Sequence, residues 1–347
     1  MYRSRYRPLP SFLPPLRLYV TILPLKPGFR AGLSEVPHRW PAKQGWGREL
    51  VDDLRVSVGV ASETGPVREH NEDAYFVAET ESDIARDNGL LLAVADGMGG
   101  HQHGEVASQL AIETLRDEYF KSTVGPTEVT QRLKQAFRRA NEQIYQSGTA
   151  GGESNMMGTT LVAAVIRGND LTIANVGDSR AYLVRAKRAT QVTRDHSLVA
   201  EQVATGAMTE DEARESQHRN IITRALGHRQ RVDVDIFEIR LLADDRLVLA
   251  TDGLYDYVPE DAMVSTVLNC YPEDAARELV NAAIANQSND NATALVAWTV
   301  LAGMPMEPEV EAPAKTGRDL LVPVLVGIVL LVFIAIIAVI LLMGTPG

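Results

Sequence analysis

Four aspartates in short turns constrain this 347-residue chain more than any other feature. They are Asp73, Asp96, Asp252 and Asp290, each in a turn marked by Gly or Asn, and three of them follow or end an apolar stretch typical of a buried strand. Carboxylates are rare at such positions unless they are paired or bind a metal. Because clustered carboxylates with few cationic neighbours repel one another, the pattern predicts a shared hard divalent cation.

Hydrophobic periodicity predicts short strands grouped with pairs of amphipathic helices. Alternation favours a strand over Arg55–Ser62, and apolar residues three and four apart favour a helix over Thr127–Tyr145. Antiparallel hairpins beside helix pairs indicate an α+β layered domain rather than a repeated βαβ unit. The other predicted strands are Ala74–Ala78, Leu90–Ala95, Thr159–Ile166, Leu171–Val176, Ala181–Val184, Val232–Ile239, Arg246–Ala250 and Ala292–Val300, and the other predicted helices are Glu105–Phe120, 259–269 and 272–287, with a polar helix-prone stretch over 198–218.

Charge and cysteine content exclude several classes of function. The net charge is −11, although residues 1–50 are basic, so the body of the chain is strongly acidic. An acidic body argues against nucleic acid as a partner, because such binding needs a basic surface. The single cysteine, Cys270, excludes an internal disulfide. It also argues against a cysteine phosphatase, because the following Arg277 lies in a helical stretch and not in a tight phosphate-binding loop with Cys270.

The C-terminal part of the chain predicts a membrane anchor. Residues 320–343 carry no charge and are rich in Leu, Ile and Val. A helix over this stretch would be long enough to cross a bilayer. Lys315 and Arg318 precede this stretch, which places the preceding body in the cytoplasm by the positive-inside rule. We therefore expect a single-pass membrane protein with a linker over 302–319. Residues 1–50, rich in Pro and Arg, are expected to be disordered or to result from a misassigned start codon.

Nine short motifs occur in an order that resembles the metal-dependent Ser/Thr protein phosphatases, the protein phosphatase 2C-like family, and its bacterial branch in particular. The resemblance covers about residues 54–300. Each motif alone is weak, since Asp-Gly and Gly-Asp are common turns. The motifs are Ser62-Glu63-Thr64-Gly65-Pro66-Val67-Arg68, Asn71-Glu72-Asp73, Asp96-Gly97-Met98-Gly99-Gly100-His101, Gly158-Thr159-Thr160, Gly177-Asp178-Ser179-Arg180, Asp195-His196-Ser197, Asn220–Gly227, Thr251-Asp252-Gly253 and Asp290-Asn291-Ala292-Thr293.

This resemblance implies a four-layer α-β-β-α sandwich of two antiparallel sheets flanked by helix pairs, spanning residues 51–301, with two Mn²⁺ or Mg²⁺ ions at one edge. It assigns the metal ligands to the four aspartates and the Gly97 carbonyl. Glu72 would orient a metal-bound water, and Arg68 would bind phosphate. Hard oxygen donors suit Mg²⁺ or Mn²⁺ better than zinc. Asp178 in the Gly-Asp-Ser-Arg turn is interpreted as a structural residue that ties loops together beneath the site.

One departure concerns a third, weaker ion that some family members bind. Asp195 is present, but Asn155 stands where the second carboxylate is expected. An amide keeps one oxygen and loses the charge, so we expect weaker binding of a third ion or none.

The resemblance implies hydrolysis of phosphoserine and phosphothreonine in proteins by a dimetal-activated water at the cytoplasmic membrane face. Phosphorylated proteins, including membrane Ser/Thr kinases, are the expected partners, and the catalytic domain is expected to be monomeric. Two alternatives remain at this stage. The first is a phosphoprotein-binding pseudophosphatase or scaffold without turnover. The second is another two-metal phosphoesterase such as a nuclease, which the acidic body disfavours.

Overall fold

A computed structural model of the chain describes residues 54–78, 88–99, 103–121, 128–150, 157–301, 303–305 and 308. Within these ranges it contains eleven strands and seven helices. The predicted N-terminal extension, the anchor over 320–343 and nearly all of the linker over 302–319 lie outside the described residues. Among the described residues, no helix combines the length and the apolar character that crossing a bilayer requires.

The first sheet has five antiparallel strands in the order β1-β11-β10-β7-β8. Its two longest strands, β1 and β11, pair over their full length from Leu54 opposite Leu301 to Glu63 opposite Ala292. Nine of the ten residues of β11 are buried, because this strand lies inside the sheet and is covered on both faces. The strands are β1 (Leu54–Glu63), β7 (Arg180–Arg185), β8 (Arg188–Gln191), β10 (Arg246–Ala250) and β11 (Ala292–Leu301).

The second sheet follows the order β2-β3-β5-β6-β9, with a two-residue strand β4 also pairing with β3. A tight turn at Arg167–Asp170 joins β5 to β6 as a hairpin. All pairings along the β2-β3-β5-β6-β9 order of the second sheet are antiparallel, as the sequence predicts. The strands are β2 (Asp73–Val77), β3 (Leu90–Met98), β4 (Gly158–Thr159), β5 (Leu161–Arg167), β6 (Asp170–Val176) and β9 (Asp235–Arg240).

Helices cover the outer face of each sheet and give the predicted four layers. Helices α1 and α2 pack together, with α1 against β2 and β3 and α2 against β6, while α7 covers β1 and β11 and contacts α6. The two sheets meet where β3 contacts β10 and β11. The helices are α1 (His103–Lys121), α2 (Val129–Ala150), α3 (Leu198–Ala204), α4 (Glu210–Glu215), α5 (Asp252–Tyr255), α6 (Glu260–Asn269) and α7 (Pro272–Ala285).

Three details differ from the sequence prediction. Strand β8 was not predicted, because three of its four residues are polar and exposed and the strand carries no hydrophobic alternation. Helix α5 was missed because four residues are too few to show a helical period. The strand predicted over Val232–Ile239 begins only at Asp235. Within the helix-prone stretch over 198–218, Thr209 and Glu212 bond reciprocally in a capping box at the start of α4.

Candidate metal centre

Strand pairing brings the first two predicted ligands together. Asp73 opens β2 and lies directly opposite Asp96 near the end of β3. The Gly97 amide donates to the Glu72 carbonyl oxygen at 3.1 Å, which holds the two strand ends in register. Gly97 has no room for a side chain, because an added Cβ would lie 2.1 Å from the Gly104 carbonyl oxygen at the start of α1. The site therefore needs glycine at this position.

Asp252 and Asp290 reach the same point from turns attached to the first sheet. Asp252 opens α5 directly after β10, and Asp290 lies just before β11. Gly253 allows these turns to touch, since an added Cβ would lie 2.0 Å from the Asn291 carbonyl oxygen. Burial is the largest cause of the raised pKa values of Asp73, Asp96 and Asp252, and the Asp290 charge raises all three further. All four aspartates therefore act on one another at the edge where the two sheets meet.

Burial and mutual repulsion leave these carboxylates poorly suited to carry charge without a cation. Burial, and then the neighbouring aspartates, raise the pKa of Asp73 to about 7 and that of Asp252 to about 6, although Thr293 and Thr251 donate hydrogen bonds to Asp73 and partly offset this. The same causes raise the pKa of Asp96 well above its ordinary value. Repelling buried acids of this kind favour protonation or a bound cation.

Two buried oxygens identify where a cation would fit. Asp73 Oδ1 and Asp252 Oδ1 are buried and accept no hydrogen bond. Buried carboxylate oxygens normally have a partner, and an orphaned one indicates an absent ion or water. The donors are all hard oxygens, which suits Mg²⁺ or Mn²⁺. The residues present therefore fit a divalent cation.

The carboxylates do not form a finished ligand set as they stand. Among the described residues, no group of three or more His, Cys, Asp or Glu is arranged to hold a metal ion. One reason is that Asp290 already has a partner, since its Oδ2 accepts from Arg68 Nη2 at 2.6 Å. A second reason is that Mg²⁺ usually keeps several waters and takes only one or two protein carboxylates.

Arg68 and Glu72 lie at the mouth of the site. Arg68 is 46% exposed, and its Nη1 lies 3.9 Å from Glu72 Oε2. Burial raises the pKa of Glu72 against the opposing charge of Arg68. The Glu72 backbone amide donates to Asn291 Oδ1 at 2.8 Å, which ties it to the turn carrying Asp290. Arg68 thus presents an accessible guanidinium beside the four acids.

Asp178 is an acidic neighbour of the site that the sequence interpretation treated as structural. It is buried, and desolvation together with the Asp252 and Asp195 charges raises its pKa to about 8. Its turn is linked to the site, because Ser179 Oγ bonds Thr160 Oγ1, which accepts from the Asp96 amide at 2.9 Å. The Gly-Asp-Ser-Arg turn alone gives no signal of this proximity.

The structure gives Asp195 a different partner from a third metal ion. Arg180 donates to both its carboxylate oxygens, with the shortest distance, 2.7 Å, from Nη2 to Oδ2. The Arg180 guanidinium also lies 3.7 Å from the centre of the Tyr255 ring. These residues border a cavity of about 700 Å³ that Asp178 and Asp252 also line, beneath α3 and α4. Asn155 lies outside the described residues, so the third-ion site stays a prediction. The motif residues Gly100 and His101 also lie outside them.

Comparison with known proteins gives a consistent family assignment. A sequence profile of the family described as "Protein phosphatase 2C" matches residues 67–294. The chain is 40% identical over 204 residues to the serine/threonine phosphatase stp of Listeria welshimeri, covering 58% of this chain and 79% of that protein. The profile match over residues 67–294 contains Arg68 and all four aspartates.

Two solved structures are similar to this fold. The serine/threonine phosphatase Stp1 of Staphylococcus aureus superposes with a TM-score of 0.65 at 35% identity, covering 73% of this chain and 98% of that one. The catalytic domain of the phosphatase PstP, solved in complex with two manganese ions, superposes with a TM-score of 0.61 at 34% identity, covering 71% of this chain and 99% of that domain.

Proposed function

This chain belongs to the protein phosphatase 2C family, and we propose from that membership that it is a Ser/Thr protein phosphatase that uses two Mn²⁺ or Mg²⁺ ions. The observation that carries the proposal is the pair of buried carboxylate oxygens without a partner, Asp73 Oδ1 and Asp252 Oδ1. They belong to acids whose pKa values are raised, and a bound cation would lower those pKa values by stabilising the ionised carboxylates.

The ions would be held by Asp73, Asp96, Asp252 and Asp290 together with the Gly97 carbonyl. A bound pair of divalent ions supplies charge neutralisation and lowers the pKa of water, so that water attacks phosphorus without a covalent enzyme intermediate. Glu72 precedes the ligand Asp73 and its side chain is only 13% exposed, and it would accept a hydrogen bond from that water. To bind the cation, the Asp290 carboxylate would give up the hydrogen bond that it now accepts from Arg68.

Arg68 is the residue that would grip the substrate phosphate. Its guanidinium is held at the mouth of the site by Asp290 and Glu72, and both are carboxylates that a phosphate can replace. The planar fork donates two parallel hydrogen bonds to two phosphate oxygens, which lysine cannot reproduce. Such preorganised donors stabilise the charge that develops in the transition state.

A metal-dependent phosphatase assay on the full chain tests this function. We expect hydrolysis of p-nitrophenyl phosphate and of phosphoserine and phosphothreonine peptides that requires Mn²⁺ or Mg²⁺ and is abolished by Asp252→Asn. Asp170→Asn is the matched control, because Asp170 lies at the opposite end of the second sheet and its side chain is 72% exposed. Phosphopeptide binding without any turnover would instead support the pseudophosphatase alternative.

We also propose that the enzyme acts at the cytoplasmic face of a membrane on phosphoproteins held there, membrane Ser/Thr kinases among them. The uncharged stretch over 320–343 and the preceding Lys315 and Arg318 support this placement. Confinement to one surface raises the effective concentration of enzyme and substrate. Deleting residues 302–347 should release the protein from the membrane fraction and slow dephosphorylation of such a kinase in cells, and unchanged dephosphorylation would contradict the proposal.

A further inference from the structure

We propose that the hydroxyl groups of Thr251 and Thr293 are positioning groups, which fix the Asp73 carboxylate so that only Oδ1 faces the divalent cation. The idea rests on the proposed function, because the cation is part of it. Neither threonine would touch metal or substrate. Both would act through Asp73, and no role was assigned to either from the sequence.

Both hydroxyls bond the same oxygen of the same carboxylate. Thr251 Oγ1 donates to Asp73 Oδ2 at 2.9 Å, and Thr293 Oγ1 donates to it at 2.6 Å. Both threonines are fully buried, so water does not compete for these bonds. Asp73 Oδ1 is left buried and without a partner. Because Oδ2 is held by two donors, rotation of the carboxylate is blocked and Oδ1 keeps one direction.

The two donors and the acceptor belong to opposite sheets. Thr251 follows β10 and Thr293 lies in β11, both in the first sheet, whereas Asp73 opens β2 in the second sheet. Thr251 and Thr293 are themselves joined, since the Thr293 amide donates to Thr251 Oγ1 at 3.0 Å. The first sheet therefore orients a ligand carried by the second sheet, and their packing sets the geometry of the site.

The hydrogen-bond directions form a closed circuit that fixes the hydroxyls of Thr293 and Ser62. Thr293 uses its only O–H on Asp73, so its oxygen accepts from Ser62 Oγ at 2.8 Å. Ser62 Oγ in turn accepts from Asn71 Nδ2 at 2.9 Å, and Asn71 Oδ1 accepts from the Asp73 amide at 3.1 Å. The circuit starts and ends at Asp73. It gives a physical role to Ser62 and Asn71, two motif residues that the proposed chemistry does not use.

Removing one hydroxyl should weaken cation binding far more than it alters chemistry at saturating cation. Groups that orient a metal ligand through hydrogen bonds typically cost about 10- to 100-fold in metal affinity when they are lost. Valine has nearly the shape of threonine but cannot donate. We therefore expect Thr251→Val and Thr293→Val each to raise the Kd for Mn²⁺ by about 10- to 100-fold. Thr293→Ser keeps the donor and should stay within a few-fold of the natural protein.

The experiment measures Mn²⁺ binding to the full chain by electron paramagnetic resonance of free Mn²⁺, and separately the phosphatase rate as a function of Mn²⁺ concentration. Thr299→Val is the matched control, because Thr299 is also buried in β11 and its hydroxyl donates to the Leu242 carbonyl at 2.7 Å, away from the acids. We expect Thr299→Val and Thr293→Val to lower the melting temperature to a similar extent, but Thr299→Val to leave the Kd for Mn²⁺ unchanged.

The outcomes separate this inference from the function on which it rests. Mn²⁺ affinity equal to the natural protein in both Val variants would overturn the positioning role, and so would an equal loss of affinity in Thr299→Val. If Thr293→Val does not fold, Ser62→Ala interrupts the circuit one step further out and should weaken Mn²⁺ binding in the same direction by a smaller factor; unchanged binding would overturn the proposal. A natural protein that neither binds Mn²⁺ nor hydrolyses phosphate would overturn the proposed function, and this inference with it.

Discussion

Replacing Asp252 by Asn should stabilise the metal-free protein while abolishing the stabilisation that manganese gives to the natural chain. Burial, followed by the Asp290 and Asp256 charges, raises the pKa of Asp252 from 3.8 to about 6. A tenfold change in proton affinity corresponds to about 1.4 kcal/mol, so the ionised carboxylate lowers the free energy of unfolding by about 3 kcal/mol. Asparagine keeps nearly the same shape and carries no charge.

The pH dependence has a defined sign. Because the folded pKa of Asp252 lies above the unfolded value, the carboxylate is protonated in both states below about pH 3 and its charge costs nothing there. The cost grows as the pH rises between the unfolded and the folded pKa, from about 4 to about 6, and is complete by about pH 7. The gain in stability from Asp252→Asn should therefore be close to zero at about pH 3 and reach about 3 kcal/mol at about pH 8.

Manganese should reverse the ranking of the two proteins. A ligand at a thousandfold excess over its Kd stabilises the folded state by about 4.1 kcal/mol, which exceeds the advantage of about 3 kcal/mol from Asp252→Asn and applies only to the chain that binds the ligand. Urea unfolding followed by circular dichroism, with EDTA or with Mn²⁺, measures both effects, and Asp170→Asn serves as the exposed control. If metal-free Asp252→Asn is no more stable than the natural protein at about pH 8, the carboxylates do not repel one another as argued.

Two further variants test the mouth of the site and the third ion. Arg68→Lys should lower kcat/KM for a phosphothreonine peptide by about 10- to 100-fold, because a single ammonium cannot bond two phosphate oxygens in parallel. Arg116→Lys on the exposed face of α1 is the control. Activity of Arg68→Lys equal to that of the natural enzyme would exclude phosphate binding by Arg68. Asn155→Asp should lower the half-saturating Mn²⁺ concentration by restoring a charged oxygen donor, and an unchanged titration curve would show that this position does not bind the third ion.

Much of the fold was predictable because its signals are local. The alternation in β1 corresponds to Val56, Val58 and Val60, which pack against the core, and the three- and four-residue spacing in α2 corresponds to its buried residues. The Asp-Gly and Asp-Asn turns were equally visible, because glycine and asparagine mark where the chain bends. Strand β8 and helix α5 were missed because four residues carry too little periodicity.

Contacts between distant segments could not be predicted from the residues alone. Thr293 and Asp73 are 220 positions apart, and no pattern near either shows that one hydroxyl faces the other's carboxylate. Likewise the Gly-Asp-Ser-Arg turn does not reveal that Asp178 is buried close enough to Asp252 for the two charges to interact. The bond from Arg180 to Asp195 could not be anticipated either, since the intervening residues form a hairpin that folds one back on the other. Such facts depend on how the two sheets pack.

The division of the acids between two sheets has a mechanical consequence. Asp73 and Asp96 belong to strands of the second sheet, while Asp252 and Asp290 flank strands of the first. An ion clamped among them is a cross-link between the halves of the sandwich, so the halves cannot part until it leaves. Removing it with a chelator should therefore speed unfolding of the entire sandwich, and the lifetime of the folded enzyme would follow the supply of free metal around it.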